Sequence, residues 1–378
     1  MFSNFRQRLP ATPGLAPIPI ALTLLLAWAA ALVCLRLHTP LPWMIGPLLV
    51  TAVLSMLGAP TESWAPLRNG AQWVIGAALG LYFTPQVMAL VARLWWVIAL
   101  NIVWALGIGL VFGKWLFWVH QGSGMPWMQR FRIEGLTSAT TYFAAPVGGA
   151  SEMTLMSERY SARTELVASS HSLRILLVTL VIPFVFQWAG LHGLDATLPA
   201  TRQVDWAGLS LLALLTGLGC WLMVKLDRAN PWFIGALAAA LLMTVNGINL
   251  SAIPQFMTNA AQLLLGISLG VRFRRSFMHL APRWLGSVAL GTVAMLLLCA
   301  SFAWLLYLAV DIHWATLVLG TAPGGISEMS ITAKVLQLGV PLVTALHVTR
   351  LAAVLLLAGP AYVWFGQPES DRLRPEHL

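Results

Sequence analysis

Two distant stretches of the chain carry the same set of potentially reactive residues. Gly148-Gly149-Ala150-Ser151-Glu152-Met153 is matched by Gly324-Gly325-Ile326-Ser327-Glu328-Met329. Nineteen residues beyond each glutamate comes a histidine, His171 or His347, followed three positions later by an arginine, Arg174 or Arg350. A glycine pair permits a break in helical backbone and close approach of other groups. The serine just beyond it suits capping of the helix that resumes. His and Arg three positions apart share one helical face. Glu152 and Glu328 are the natural partners of those arginines, or else groups that load and release a proton. Such a constellation fits recognition of a charged solute coupled to protons. The competing use is structural, with Glu–Arg clamps and glycines that merely allow close helix packing.

These groups must be carried by helices in a bilayer. The chain has 378 residues, 58% hydrophobic and 9% charged, with a mean hydropathy of +0.78. Soluble domains carry about 25% charged residues, so a conventional soluble enzyme is excluded. Apolar runs long enough to cross about 30 Å of hydrocarbon fall at roughly 15–35, 41–58, 68–83, 91–119, 164–188, 206–224, 231–250, 258–272, 281–309 and 340–366. The 18 tryptophans suit interfacial anchoring of helical spans, and the runs lack the alternation of a β-barrel. The basic start, Phe5-Arg6-Gln7-Arg8, imitates a signal peptide, yet the apolar run behind it is too long, so an uncleaved first helix is expected. Segments 134–157 and 313–334, which hold the glycine pairs, are expected to be broken or re-entrant.

The duplication extends well beyond the site. Pro42-Trp43-Met44-Ile45-Gly46 returns as Pro231-Trp232-Phe233-Ile234-Gly235. Asn69, Gln72, Gly76, Gly80 and Phe83 return 190 positions later as Asn259, Gln262, Gly266, Gly270 and Phe273. The expected fold is an all-α polytopic membrane protein of two homologous repeats, 1–192 and 193–378, with about 10–12 membrane segments. The net charge of +9 lies in short loops, where Lys and Arg set orientation. No recognition helix or zinc-finger spacing accompanies it, so no direct nucleic-acid partner is expected. Lys114, Arg130 and Arg132 follow the fourth span, whereas Arg272, Arg274, Arg275 and Arg283 fall one loop earlier in repeat coordinates. Placing both clusters in the cytoplasm makes the repeats inverted, with an odd number of crossings in each. Two matched breaks then predict a site between the halves near the midplane.

Other residues carry less. Thr137, Ser138, Thr140, Thr141, Ser169 and Ser170 surround the first motif, and Thr316, Thr321, Thr332 and Thr344 the second; back-bonding to helix carbonyls is their simpler use. Pro42-Trp43 and Pro231-Trp232 read as helix starts, and Gln72 and Gln262 suit either a polar cavity or an interhelical bond. Cys34, Cys220 and Cys299 lie in apolar runs and read as small hydrophobes. His38, His120, His192 and His279 share no ligand spacing, so neither a metal nor another cofactor is expected. Gly109 to Gly113-Lys114 lacks phosphate-loop spacing, and the tail 367–378 reads as a solvated end.

The paired Pro-Trp-x-Ile-Gly and Gly-Gly-x-Ser-Glu-Met…His-x-x-Arg motifs resemble the bacterial AbrB family of integral membrane proteins, over essentially the whole chain. Ala322-Pro323-Gly324-Gly325 is the cleaner copy; Val147 separates Pro146 from the first glycine pair, so breaks of unequal geometry are expected. The resemblance implies a multi-pass protein of the bacterial cytoplasmic membrane, distantly similar to cation/proton antiporters and anion transporters built on inverted repeats. Regulation of gene expression, one label attached to the family, would here be indirect, because no cytosolic DNA-binding domain is present. Ammonia monooxygenase, another such label, would need clustered copper or iron ligands that this sequence lacks. The reading that follows is a secondary transporter, not an enzyme, for a small solute that is anionic rather than cationic. Half-helix N-termini with two Arg and two His favour a carboxylate, while Glu152 and Glu328 oppose one unless neutralised. The expected partners are the lipid bilayer, the solute and protons. A membrane-embedded sensor that binds solute without moving it is the competing class.

Overall fold

A computed structural model describes residues 17–121, 126–191, 193, 203–273 and 282–366. The basic stretch at 5–8, His192, Arg274, Arg275, His279, the tail 367–378 and most of the junction between the repeats lie outside the described residues. The first repeat folds into α1 (Pro17–Arg36), α2 (Pro42–Met56), α3 (Ala65–Gly80), α4 (Pro85–Arg93), α5 (Trp95–Gln121), α6 (Ser138–Ala144), α7 (Ala150–Arg159) and α8 (Thr164–Trp188). The second contains α9 (Trp206–Lys225), α10 (Pro231–Val245), α11 (Gln255–Gly270), α12 (Pro282–Tyr307), α13 (Trp314–Thr321), α14 (Ile326–Leu336) and α15 (Val340–Ala361). Six of these, α1, α5, α8, α9, α12 and α15, are long and apolar enough to cross a bilayer, so this is a multi-pass membrane protein.

The remaining crossings are shorter and lie inside. Helices α2, α3, α10 and α11 have 15 or 16 residues, about 22–24 Å of length. Pro42 and Pro231 open α2 and α10, each after a left-handed residue, Leu41 and Asn230 at φ 49°. The repeated glycines then bring backbones together, as in membrane helix pairs generally. Gly46 lies against Ala30 and Ala31 of α1, and its equivalent Gly235 against Gly219 and Cys220 of α9. Gly76 and Gly80 meet Phe233 and Leu237 of α10 in rising order, so α3 and α10 run parallel. Gly266 and Gly270 meet Met44 and Leu48 in the same way, so α2 and α11 run parallel. The inner layer is therefore built by exchange between the repeats. After α3 the chain bends by 87° into α4, where Thr84 caps the turn and Pro85 fixes its start.

The other bundle shows the relative direction of the halves. Along α5 and its equivalent α12, Trp104 stacks on Phe302 with ring centroids 4.5 Å apart, Phe112 fills the space over Gly291, and His120 meets Trp284 at 5.2 Å. One series rises as the other falls, so equivalent helices are antiparallel. The glycine-rich segments explain how. Arg163, just before α8, donates its backbone N–H to Thr140 Oγ1 at the start of α6 (3.0 Å), while His171 and Arg174 farther along α8 hold carbonyls in the last turn of that short helix and just beyond it. Helix α6 thus runs alongside α8, and α7 returns to the face it came from. In the second repeat Thr316 of α13 packs on Gly339 before α15, while His347 and Arg350 hold the carbonyls at the far end of α13. Both segments are re-entrant hairpins. Among the described residues each repeat has five helices outside these hairpins and the bent segment α4, namely α1, α2, α3, α5 and α8 or their equivalents, and the antiparallel course of α5 and α12 shows one repeat inverted against the other.

This arrangement gathers charge at one face. The end of α5 and the start of α12 share it, bringing Arg130, Arg132, Arg159, Arg163, Arg228 and Arg283 together; Arg36, Arg93 and Lys334 lie at the other face. Helices α1–α3 and α9–α11 form one bundle, and α5–α8 with α12–α15 the other.

Candidate functional site

All twelve residues picked out by the duplicated motifs line one cavity of about 500 Å³ between the two bundles, opening toward the basic face. The hairpin tips form its floor. The first tip runs through Gly148 and Gly149, both left-handed at φ +122° and +62°, whereas Gly325 has an ordinary φ of −78°. The inserted Val147 lengthens the first break, and the two tips differ as the sequence predicts. Helices α7 and α14 begin at these tips, so their free amides and the positive ends of their dipoles face the cavity.

The histidines and arginines are turned toward the protein's own backbone. Arg174 donates to the carbonyls of Ala145 (2.9 Å) and Pro146 (2.5 Å) and to His171 Nδ1 (2.7 Å). Arg350 repeats the arrangement with Ala322 (2.7 Å), Gly324 (3.1 Å) and His347 Nδ1 (2.7 Å). A guanidinium only donates and a carbonyl only accepts. Each imidazole must therefore accept at Nδ1 and donate through Nε2, to Phe143 O (2.9 Å) or Leu319 O (2.8 Å). These four side chains are buried and satisfy the orphan carbonyls that a broken helix leaves at its C-terminal end. The expected pairing of Glu152 and Glu328 with Arg174 and Arg350 is thus replaced by backbone acceptors. The expected serine caps are also absent, since neither Ser151 nor Ser327 bonds the start of its helix.

Each glutamate occupies the third position of its helix, where a carboxylate complements the dipole. Glu328 is 7% exposed and its Oε2 lies over Gly325, in the space a Cβ would need. Glu152 is half-buried, and Ser151 is exposed to the cavity. The walls add groups beyond the twelve motif residues, among them Gln72, which the sequence offers for a polar cavity. Arg68, Asn69 and Gln72 come from the start of α3, Asp227 and Arg228 from the turn before α10, and Arg272 from just beyond α11. The lining thus holds five guanidinium groups and three carboxylates, with Arg174 and Arg350 committed to backbone carbonyls. Arg272, read from the sequence as an orientation signal, is exposed to the cavity within electrostatic reach of Glu328 and Arg68. Its repeat equivalent is Tyr82, so duplication gave no signal for it.

Other candidates have local uses. Gln72 lines the cavity, whereas Gln262 is buried away from it. Thr141, Thr321, Thr332 and Thr344 back-bond to helix carbonyls, and Ser170 holds Ala144 O. His120 bonds Phe131 O, and His313 accepts from Ala315 N at the start of α13. Among the described residues no group of three or more His, Cys, Asp or Glu is placed to hold a metal ion.

Beyond the cavity the opposite face is closed by apolar packing. Leu41, Leu79 and Phe83 share a core with Val178, Ile182 and Phe186 of α8.

Comparison with known proteins agrees with this architecture. The chain is 26% identical over 340 residues to a protein of Escherichia coli (strain K12) named "Putative regulator AbrB", covering 88% of this chain and 91% of that protein. It is 24% identical over 349 residues to "Uncharacterized protein YhjN" of Bacillus subtilis (strain 168), covering 85% and 86% respectively. No solved structure matches the chain. The family described as "Transition state regulatory protein AbrB" matches residues 3–121 and 43–366, the overlapping spans expected of a duplicated chain, and the protein belongs to this AbrB family.

Proposed function

We propose that the protein is a secondary transporter, not an enzyme, that moves a small anionic solute across the bacterial cytoplasmic membrane with proton coupling. The observation that carries this reading is the cavity itself. It opens at one face, ends near the molecular centre at two helix N-termini, and has more guanidinium than carboxylate groups. Helix N-termini and arginines favour anions, and irregular backbone at membrane depth survives where it lines a wet site. The basic face is the cytoplasmic one by the positive-inside rule, so the solute route is open to the cytoplasm.

The experiment is reconstitution of the purified protein in liposomes, with flux of small carboxylates, chloride and phosphate measured under an imposed pH gradient. Thermal stabilisation in detergent by the same anions accompanies it, because a ligand of the folded state raises its stability by mass action. Saturable flux that responds to the gradient is the expected result. The E. coli relative's name favours a second reading, a membrane sensor that influences gene expression indirectly. Stabilisation without flux in competent liposomes would overturn transport in favour of that sensor.

A further inference from the structure

The two glutamates at the hairpin tips have different surroundings. Glu328 shares its side of the cavity with Arg272 beyond α11 and Arg68 of α3, and Arg272 is within electrostatic reach of it. The residue equivalent to Arg272 in the first repeat is Tyr82, so the fold supplies no matching arginine to Glu152. The other ionisable groups of the cavity are His171 and Arg174 of α8, His347 and Arg350 of α15, Asp227 and Arg228 of the turn before α10, and Glu152 itself. The hydrogen bonds of the two histidines and of Arg174 and Arg350 go largely to backbone carbonyls and to each other. Arg272, unlike Arg174 and Arg350, is exposed to the cavity, so its guanidinium has donors to offer an incoming anion beside Glu328.

Resting on the transport reading, we propose that Arg272 is the specificity-determining contact for the carboxylate of the solute, and that Glu328 is its built-in competitor. A free carboxylate and the tethered carboxylate of Glu328 seek the same guanidinium. Protonation of Glu328 removes its claim on Arg272, so anion and proton load together. Linkage is reciprocal: a proton on Glu328 tightens anion binding, and a bound anion favours the proton. The two repeats thus contribute unequal glutamates, and only the second is tied to the solute through an arginine.

The test uses wild type, R272Q, R272K, E328Q, E152Q and the R272Q/E328Q double variant, purified in detergent, with acetate, succinate and chloride as probes at neutral and mildly acidic pH. Wild type is expected to bind acetate or succinate more tightly as pH falls. E328Q should bind them about tenfold more tightly at neutral pH and lose that pH dependence, and R272Q should lose carboxylate stabilisation, with partial return in R272K. Without added anion, the melting shifts of R272Q and E328Q should be non-additive in the double variant, a readout independent of the probes. Wild-type carboxylate binding and flux retained in R272Q, or E328Q and E152Q behaving alike, would overturn this assignment and leave transport standing. No stabilisation of wild type by any probe, together with no flux, would sink both.

Discussion

At the scale of the residue, the repeated His-x-x-Arg pair separates into a scaffold role and a cavity it supports. Arg350 is buried and holds the carbonyls of Ala322 and Gly324 together with His347. Truncation to alanine would remove the donors that hold those buried acceptors and the tip they belong to. Arg350→Ala should cost about 3 kcal/mol or more, while Arg272→Ala, exposed to the cavity, should cost under about 1 kcal/mol. Thermal unfolding in detergent distinguishes them, and equal melting temperatures would refute the clamp. The motif residues were legible in the sequence because duplication picks out residue types at fixed spacing, and all twelve reach one cavity. Their hydrogen-bond partners were not legible, because a backbone carbonyl has no sequence signature. Arg272 and Arg68 escaped for another reason, since neither has an arginine equivalent in the other repeat.

At the scale of the element, glycine position decides how closely the inner helices approach. A Cβ at Gly266 would press on Met44 O and Leu48 N of α2, and one at Gly76 on Phe233 O of α10, whereas one at Gly70 would meet nothing within 4 Å. Gly266→Ala and Gly76→Ala should each lower stability by about 1–3 kcal/mol through forced separation of parallel helices. Gly70→Ala should stay within about 0.5 kcal/mol of wild type. Chemical or thermal unfolding of the three variants checks this, and an equal response would mean that backbone contact does not set the spacing. The equivalence of these glycines was readable from the 190-residue offset. That each serves the opposite repeat was not, because an offset carries no information on which helices meet. The re-entrant course of α6–α7 and α13–α14 was likewise left open, since a helix that crosses and one that turns back share the same periodicity.

At the scale of the whole molecule, inversion gives every element of the open route an equivalent at the closed face. The turn before α10 corresponds to the turn before α2, and the end of α11 to the end of α3. On the closed side those equivalents include Leu41 and Leu79, sealed against Ile182 and Phe186. An inverted pair of repeats reaches its second state by exchanging the two environments, so opening should occur along this apolar seam as the cavity closes. In a background lacking Cys34, Cys220 and Cys299, Leu79→Cys probes the seam and Ser151→Cys, whose parent is exposed to the cavity, probes the open route. With a membrane-impermeant maleimide applied from each side, Ser151→Cys should react from the basic face and Leu79→Cys only weakly from the other. Any solute or pH gradient that raises labelling of Leu79→Cys should lower that of Ser151→Cys in the same proportion, because one molecule cannot hold both routes open. Labelling that rises at both positions together would describe a channel. Labelling that never changes at Leu79→Cys would describe a fixed binding protein, and either result would rule out alternating access.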